Sequence, residues 1–197
     1  MTQENRVVFL KGKKVNLRPV MKADLPLITR WINDPEVRYF LANVVPQSLE
    51  DEEAWLAGLS KKKDTHVVFV IEKADGQPIG VMGLHGIHHV DRTATTGSFI
   101  GEKEYWGKGL GTEAKFLLLD YAFDTLNLRK ICSEALAFNE RSIRYSLRCG
   151  YKEEGRLKDH IFRNGKFHDK VLLAVFREDF VPIWEKHQSE EYQAPSV

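Results

Sequence analysis

At 197 residues and 43% hydrophobic content, the chain carries enough apolar mass for one sizeable core. Its 29 Lys and Arg nearly balance 28 Asp and Glu, and a formal net charge of +1 excludes the basic surplus of a general nucleic-acid binder. No apolar run reaches membrane-spanning length, residues 1–10 lack a secretory core, and Cys132 and Cys149 make neither a disulfide framework nor a zinc site; a cytoplasmic, metal-free protein is expected.

In chain order, residues 1–13 read as an arm, 14–187 as a single domain and 188–197 as a polar tail. Residues 14–19 alternate as a short strand, expected at an edge because Pro19 cannot donate to a ladder. Asp24 is the expected cap of a helix whose apolar face is Leu25, Ile28, Trp31 and Ile32, and Asn33-Asp34-Pro35 breaks it before one more turn over 36–41. Ser48, with Asp51 three residues on, opens a helix whose buried side is expected at Ala54, Trp55 and Leu59. The acids Glu50, Asp51, Glu52 and Glu53 in its first turns favour the helix dipole and also suit a rim that attracts a cationic acceptor.

Residues 67–71 and 79–87 are strands joined by an Asp75-Gly76 turn, and a third, 93–100, follows Asp91-Arg92, so an antiparallel meander is expected. Gly97 inside the third strand signals a bulge or a close backbone approach. A helix over 112–126, a strand over 129–136 and a helix capped by Asn139 and closed by Gly150 come next. Two strands around Asn164-Gly165 and a short helix over 178–187 complete the pattern.

The chain is organised around Tyr105-Trp106-Gly107-Lys108-Gly109-Leu110-Gly111-Thr112-Glu113-Ala114. A glycine-rich turn between a strand and a helix N-terminus makes an anion site, because the first helical N–H groups lack partners and the peptide dipoles add positive charge there. Glycines let several amides aim inward, and Lys108 adds a full charge; a pyrophosphate is the expected ligand. The spacing is not that of a P-loop, and a dinucleotide fingerprint would need a small residue where Thr112 stands.

This stretch, with Asn139-Glu140-Arg141-Ser142-Ile143 and Cys149-Gly150-Tyr151-Lys152-Glu153-Glu154-Gly155, resembles the GNAT superfamily of acetyl-CoA-dependent N-acetyltransferases. It is most similar to the branch of ribosomal-protein N-terminal and spermidine acetyltransferases. Leu17-Arg18-Pro19, Asp24-Leu25 and the segment from Trp31 to Val37 support the likeness, which covers residues 14–180. The resemblance implies an α/β (α+β) fold, a mixed and mostly antiparallel sheet of about seven strands with helices on both faces. It implies acetyl-CoA as co-substrate, direct attack by a primary amine in a ternary complex, and, by family habit, a homodimer. The acceptor classes are a polyamine, a protein N-terminus or an amino sugar. A coenzyme-A-binding module without transferase activity is the alternative, and a nucleotide-binding switch is a third reading.

By resemblance, the backbone of Phe99, Ile100 and Gly101 pairs with the pantetheine arm, and Gly107, Lys108, Gly109, Leu110, Gly111 and Thr112 hold the pyrophosphate. Asn139 bonds the arm and Arg144 reaches the adenosine phosphate; Trp31 and Tyr39 lie in the variable acceptor region. The family's usual acid–base positions hold Thr95 and Ser146, so neither familiar role transfers. A charged amine must lose a proton before attack, because alkyl amines titrate near about pH 10. His85 is the candidate base and Ser146 the candidate proton donor to the leaving thiolate, with His88 and His89 on or beyond the same strand.

Overall fold

The strand Val15–Pro19 (β2) buries four consecutive residues, Val15, Asn16, Leu17 and Arg18, so it lies inside the sheet and not at its edge. A two-residue strand outside it, Leu10–Lys11 (β1), takes the edge and pairs antiparallel with it. The computed structural model describes residues 7–192; the expected arm therefore contributes a strand, while residues 1–6 and 193–197 fall outside the description. Among the described residues eight strands are found instead of about seven, the addition being β1. The described residues form two compact units, one of those up to Ile87 with Thr96–Leu118, the other of His88–Thr95 with those from Leu119 on.

β2 pairs antiparallel with His66–Lys73 (β3), which pairs antiparallel with Pro78–His88 (β4), in the first unit as far as Ile87; Thr93–Ile100 (β5), of the first unit from Thr96 on, is next in order. Leu25–Asn33 (α1) follows a helical turn at Lys22–Asp24, and buries Leu25, Ile28 and Trp31 as its 3.6-residue period requires. Asp24 does not cap α1 with its side chain. Its carboxylate instead accepts from Met21 N–H at 2.8 Å and from Arg18 at 2.8 and 2.7 Å. Arg18 also donates to Glu72 at 2.8 Å, and all three side chains are buried. The bidentate pair with Asp24 leads in holding the guanidinium pKa above its ordinary value.

Pro35–Arg38 (α2) is capped by Asp34, whose carboxylate accepts from Glu36 and Val37 N–H. Leu49–Ser60 (α3) has the expected reciprocal Ser48–Asp51 capping box. Its inner face differs from expectation: Glu52, Trp55, Leu56 and Leu59 turn inward at helical spacing, and Ala54 is exposed. Trp55 and Leu56 pack against Leu25, Ile28, Trp31 and Val81. Helix Leu110–Asp120 (α4) begins two residues earlier than the predicted 112.

In the second unit, α4 passes into a π turn at Tyr121–Thr125, and Asn127, at φ 53°, ends it. Lys130–Leu136 (β6) and Lys152–Arg163 (β7) both pair antiparallel with Lys166–Phe176 (β8). Glu140–Arg148 (α5) is capped by Asn139, which accepts from Ser142 N–H at 3.1 Å, and Gly150 closes it at φ 90°. Asn164 and Gly165, at φ 47° and 77°, form the expected hairpin turn. The terminal helix Arg177–Tyr192 (α6) runs into the stretch read as a tail.

Arg18→Ala would leave two buried carboxylates without a counter-charge. It is expected to lower the unfolding free energy by about 3–5 kcal/mol in urea titrations. A loss under about 1 kcal/mol would show that the triad carries no such weight.

Candidate active site

Where β5 ends, side chains are missing on purpose. A Cβ at Gly80 of β4 would fall 2.2 Å from the Phe99 carbonyl oxygen, and one at Gly101 would fall 2.1 Å from the Trp31 ring. Trp31, 2% exposed, thus backs the strand end; it meets Phe99 edge-on and donates through Nε1 to Glu102 at 3.0 Å. Arg30 adds an ion pair to the same Glu102 oxygen. The position expected to meet an acceptor is therefore a supporting one, acting through Gly101 and Glu102.

Among the backbone groups expected to pair with a pantetheine arm, the Gly101 amide and the Ile100 carbonyl have protein partners. Gly101 N–H donates to Ile79 O at 2.8 Å, and Ile100 O accepts from the Trp106 indole at 2.8 Å. The free edge for an added strand is shorter than the resemblance implied, and a donor for the thioester oxygen near Ile100 is not the Gly101 amide.

The loop that follows keeps its donors open. Gly107 and Gly109 adopt φ 76° and 79°, a region an L side chain enters only with strain, although no atom lies within 4 Å of where either Cβ would be. Among the described residues, no protein acceptor takes the N–H groups of Gly107, Lys108, Gly109, Leu110 or Gly111. Thr112 is the exception among the six predicted positions, since its N–H donates to Gly109 O at 3.0 Å. Lys108 lies over the Tyr105 ring at 5.3 Å; Lys73 lies over the same ring at 5.1 Å and is paired with Asp75 at 2.7 Å. Five open amides, glycine dihedrals and the Lys108 ammonium fit a diphosphate, the anionic part of coenzyme A.

Beside the loop, Pro35, Glu36, Tyr39, Phe40 and Trp106 line a cavity of about 330 Å3. Phe40 packs edge-on against Trp106 at 6.2 Å and against Tyr39 at 5.0 Å. Lys103 pairs with Asp34 at 3.0 Å and with Glu36 at 2.6 Å, which ties α2 to the segment after β5.

His85 resolves the question of register. Its ring lies 3.2–3.3 Å from where a Gly97 Cβ would stand, so the glycine makes room for an imidazole and not for a backbone. Gly97 and Phe99 share a face by alternation, and Phe99 meets Trp31; His85 therefore faces the α1 side. Burial, and then the charge of cross-strand His66 at 5.5 Å, push its pKa below 6.5. His88 is exposed and pairs with Asp91 at 3.0 Å. Thr96, next to the predicted Thr95, is buried and accepts from the buried Lys115 ammonium at 2.8 Å. Nothing in the sequence marked Lys115 apart from the solvated lysines.

In the second unit, Ser146 lies on the inner face of α5, 1% exposed, with no hydrogen-bond partner for its hydroxyl. Tyr145, its neighbour, is half-buried. Arg144 is exposed and held by Glu140 one turn back at 2.8 Å, and Asn139 serves its helix as cap. No three His, Cys, Asp or Glu gather as metal ligands, and no helix is long and apolar enough to cross a membrane, among the described residues.

Residues 14–152 match the family described as the acetyltransferase (GNAT) domain. The chain belongs to that family. This GNAT enzyme transfers acetyl from acetyl-CoA to an amine, and the comparisons lend no support to a module without activity. It is 33% identical over 174 residues to the spermidine N(1)-acetyltransferase of Escherichia coli K12, covering 85% of this chain and 88% of that one. It is 36% identical over 106 residues to the putative ribosomal N-acetyltransferase YdaF of Bacillus subtilis, covering 54% and 57%. The Vibrio cholerae spermidine N-acetyltransferase, solved in complex with CoA and spermine, superposes with a TM-score of 0.80 at 25% identity, covering 86% of this GNAT chain and 99% of that one.

Gly109→Ala forces a side chain into the left-handed region while leaving the core untouched. It is expected to weaken coenzyme A binding about tenfold by calorimetry, with little change in melting temperature. Unchanged affinity would remove the loop from the site.

Proposed function

We propose that the acceptor is a polyamine, acetylated on a primary amine. The observation that carries this reading is the aromatic cavity of Tyr39, Phe40 and Trp106, with Trp106 bonded to the Ile100 carbonyl. Such a trough suits an alkyl chain bearing charged nitrogens, because rings cover methylenes and attract cations through their faces. Relatives that share most of their length with this chain are named spermidine acetyltransferases, which supports the same class.

Coenzyme A supplies an activated acetyl group as a thioester. The amides of Gly107, Lys108, Gly109, Leu110 and Gly111 hold its diphosphate, and the strand end at Phe99 and Ile100 receives its arm; Asn139 and Arg144 are the further contacts carried over from the resemblance. His85, neutral at physiological pH, takes the proton that the ammonium must shed, directly or through water. Ser146 supplies a proton to the departing sulfur. The support is its own geometry: a buried hydroxyl without a partner costs stability, and a ligand that completes it removes that cost.

A thiol-release assay over spermidine, n-butylamine, a peptide N-terminus and an amino sugar tests the acceptor class. Spermidine is expected to exceed the monoamine in kcat/KM by about tenfold or more. A peptide or amino sugar that outperforms spermidine would replace the reading.

Ser146→Ala is expected to lower kcat about a hundredfold while the melting temperature holds or rises, since the change deletes an unsatisfied hydroxyl. A parallel fall in stability and activity would make Ser146 structural. For His85, the sign follows from its depressed pKa: the unfolded chain binds the proton more readily, so this contribution to stability is present above about pH 6.5 and is lost as pH falls through the folded value. The acid limb of kcat/KM is expected below about pH 6.5 and should vanish in His85→Gln. An unchanged limb in that variant would assign it to another group.

A further inference from the structure

His66 and His85 stand directly opposite one another on β3 and β4, so both imidazoles rise from the same face of the sheet. Their ring centroids are 5.5 Å apart, with the planes at 67°. Both residues are half-buried, within reach of an ion from solvent. The two strands are pinned just beyond the pair, where Ile87 N–H donates to Thr65 O at 3.0 Å and Gly86 turns at φ 59°.

The neighbours decide which nitrogens the pair presents. The Thr65 hydroxyl donates to Lys62 O at 3.2 Å, so its oxygen accepts from His66 Nδ1–H at 2.9 Å. In the neutral ring Nε2 of His66 then carries the lone pair. On His85 the Nε2–Cδ2 edge lies over Gly97, at 3.2 and 3.3 Å from where a Cβ would stand. Nδ1 is the ring atom opposite that edge, and β3 flanks β4 on the side away from β5, so Nδ1 of His85 is turned toward His66.

That arrangement has the dimensions of a chelate. An imidazole nitrogen about 2.1 Å from zinc sets its ring centroid about 3.2 Å from the metal, and two such rings at a tetrahedral angle have centroids about 5.3 Å apart. The Thr65 contact is the outer hydrogen bond that a ligating histidine makes through its other nitrogen. His88 and His168 are engaged differently: His88 accepts from Asp91 N–H at 3.1 Å through Nδ1, and His168 packs on the Phe138 ring.

We propose that His66 and His85 form a two-nitrogen site for a zinc-class divalent cation, with water filling the remaining positions. Zinc and copper suit imidazole, whereas magnesium and calcium require oxygen ligands. The ion is an exogenous ligand and not a resident cofactor, in keeping with the lack of any three-ligand group among the described residues. Its effect on the reaction rests on the reading of His85 as base. A metal on Nδ1 stops that ring from taking a further proton, so the filled site is inhibitory.

The test titrates zinc into the coenzyme-free enzyme by calorimetry, with thermal melting to confirm that each variant folds. Wild type is expected to bind one zinc, and His66→Gln and His85→Gln each to weaken that binding by about tenfold or more, while His88→Gln leaves it unchanged. Copper should bind more tightly than zinc, with two coordinating nitrogens in its spin-resonance spectrum, and magnesium should not bind. Because thiols capture zinc, turnover is read as acetylated amine by mass. Saturating zinc should slow the wild type about tenfold or more and His66→Gln by less than about twofold, with recovery on adding EDTA. A wild type that binds no zinc, or a His66→Gln affinity within about twofold of wild type, would overturn the inference. Zinc held by both histidines at an unchanged rate upholds the site and overturns His85 as the base.

Discussion

Two absent side chains decide where β5 stops. At position 80 the space for a Cβ belongs to the Phe99 carbonyl, and at position 101 it belongs to the Trp31 indole. With those glycines in place, the backbone of β5 closes down on β4 and on the last turn of α1. Ile79 O can then take both the Gly101 and Glu102 amides, at 2.8 and 3.2 Å. The chain leaves the strand already fixed, and Trp106 fastens it again by reaching back to Ile100 O. Everything the loop does afterwards depends on that rigid departure. Open amides are useful as an anion receptor only if they cannot collapse onto a neighbour, and here the dihedrals of Gly107 and Gly109 are held by anchors on both sides.

The distribution of charge follows the same economy. Buried ions in the first unit are grouped around a fold contact, whether β2 to β3 through Arg18 or the first hairpin to α4 through Glu113. Surface ions near the cavity are grouped likewise, with Lys103 bridging α2 and the segment after β5. Pairs of this second kind contribute little to stability in water but restrict how α2 sits over Trp106. Ser146, whose buried hydroxyl belongs to no such grouping, is a residue for which an external partner is argued.

Much of the fold was legible because local chemistry and tertiary packing agree. Ser48-x-x-Asp51, Asn139, Gly150 and Asn164-Gly165 each demand one backbone outcome, and each was found. The failures are instructive in the same terms. Asp24 has the composition of a cap, yet a buried arginine outcompetes the helix amides for its carboxylate, and Arg18 cannot be known as buried until β1 covers the edge. Glu52 reads as one more surface acid because sequence shows charge and not which face of a helix will be covered. Thr112 was included with the loop amides, but starting the helix at Leu110 turns its N–H back to Gly109. Gly97 was read as a bulge or a close approach of another backbone, and its neighbour is the His85 ring. The glycine loop itself was visible in outline, while its true extent required knowing where the first helical turn closes.

The carboxylate of Glu113 has a consequence for how this protein can be trimmed. Its side chain, on the first turn of the helix that follows the glycine loop, is capped by main-chain hydrogens from residues 13 and 14. The family match begins at residue 14. Cutting there discards one of the two donors along with the Leu10–Lys11 strand, and leaves a sequestered acid half-satisfied on the first turn of the helix that follows the glycine loop. The turn after the outermost strand of the first unit thus splints the helix behind the glycine loop, a hundred residues away in sequence, and a domain boundary drawn from homology alone would remove part of it.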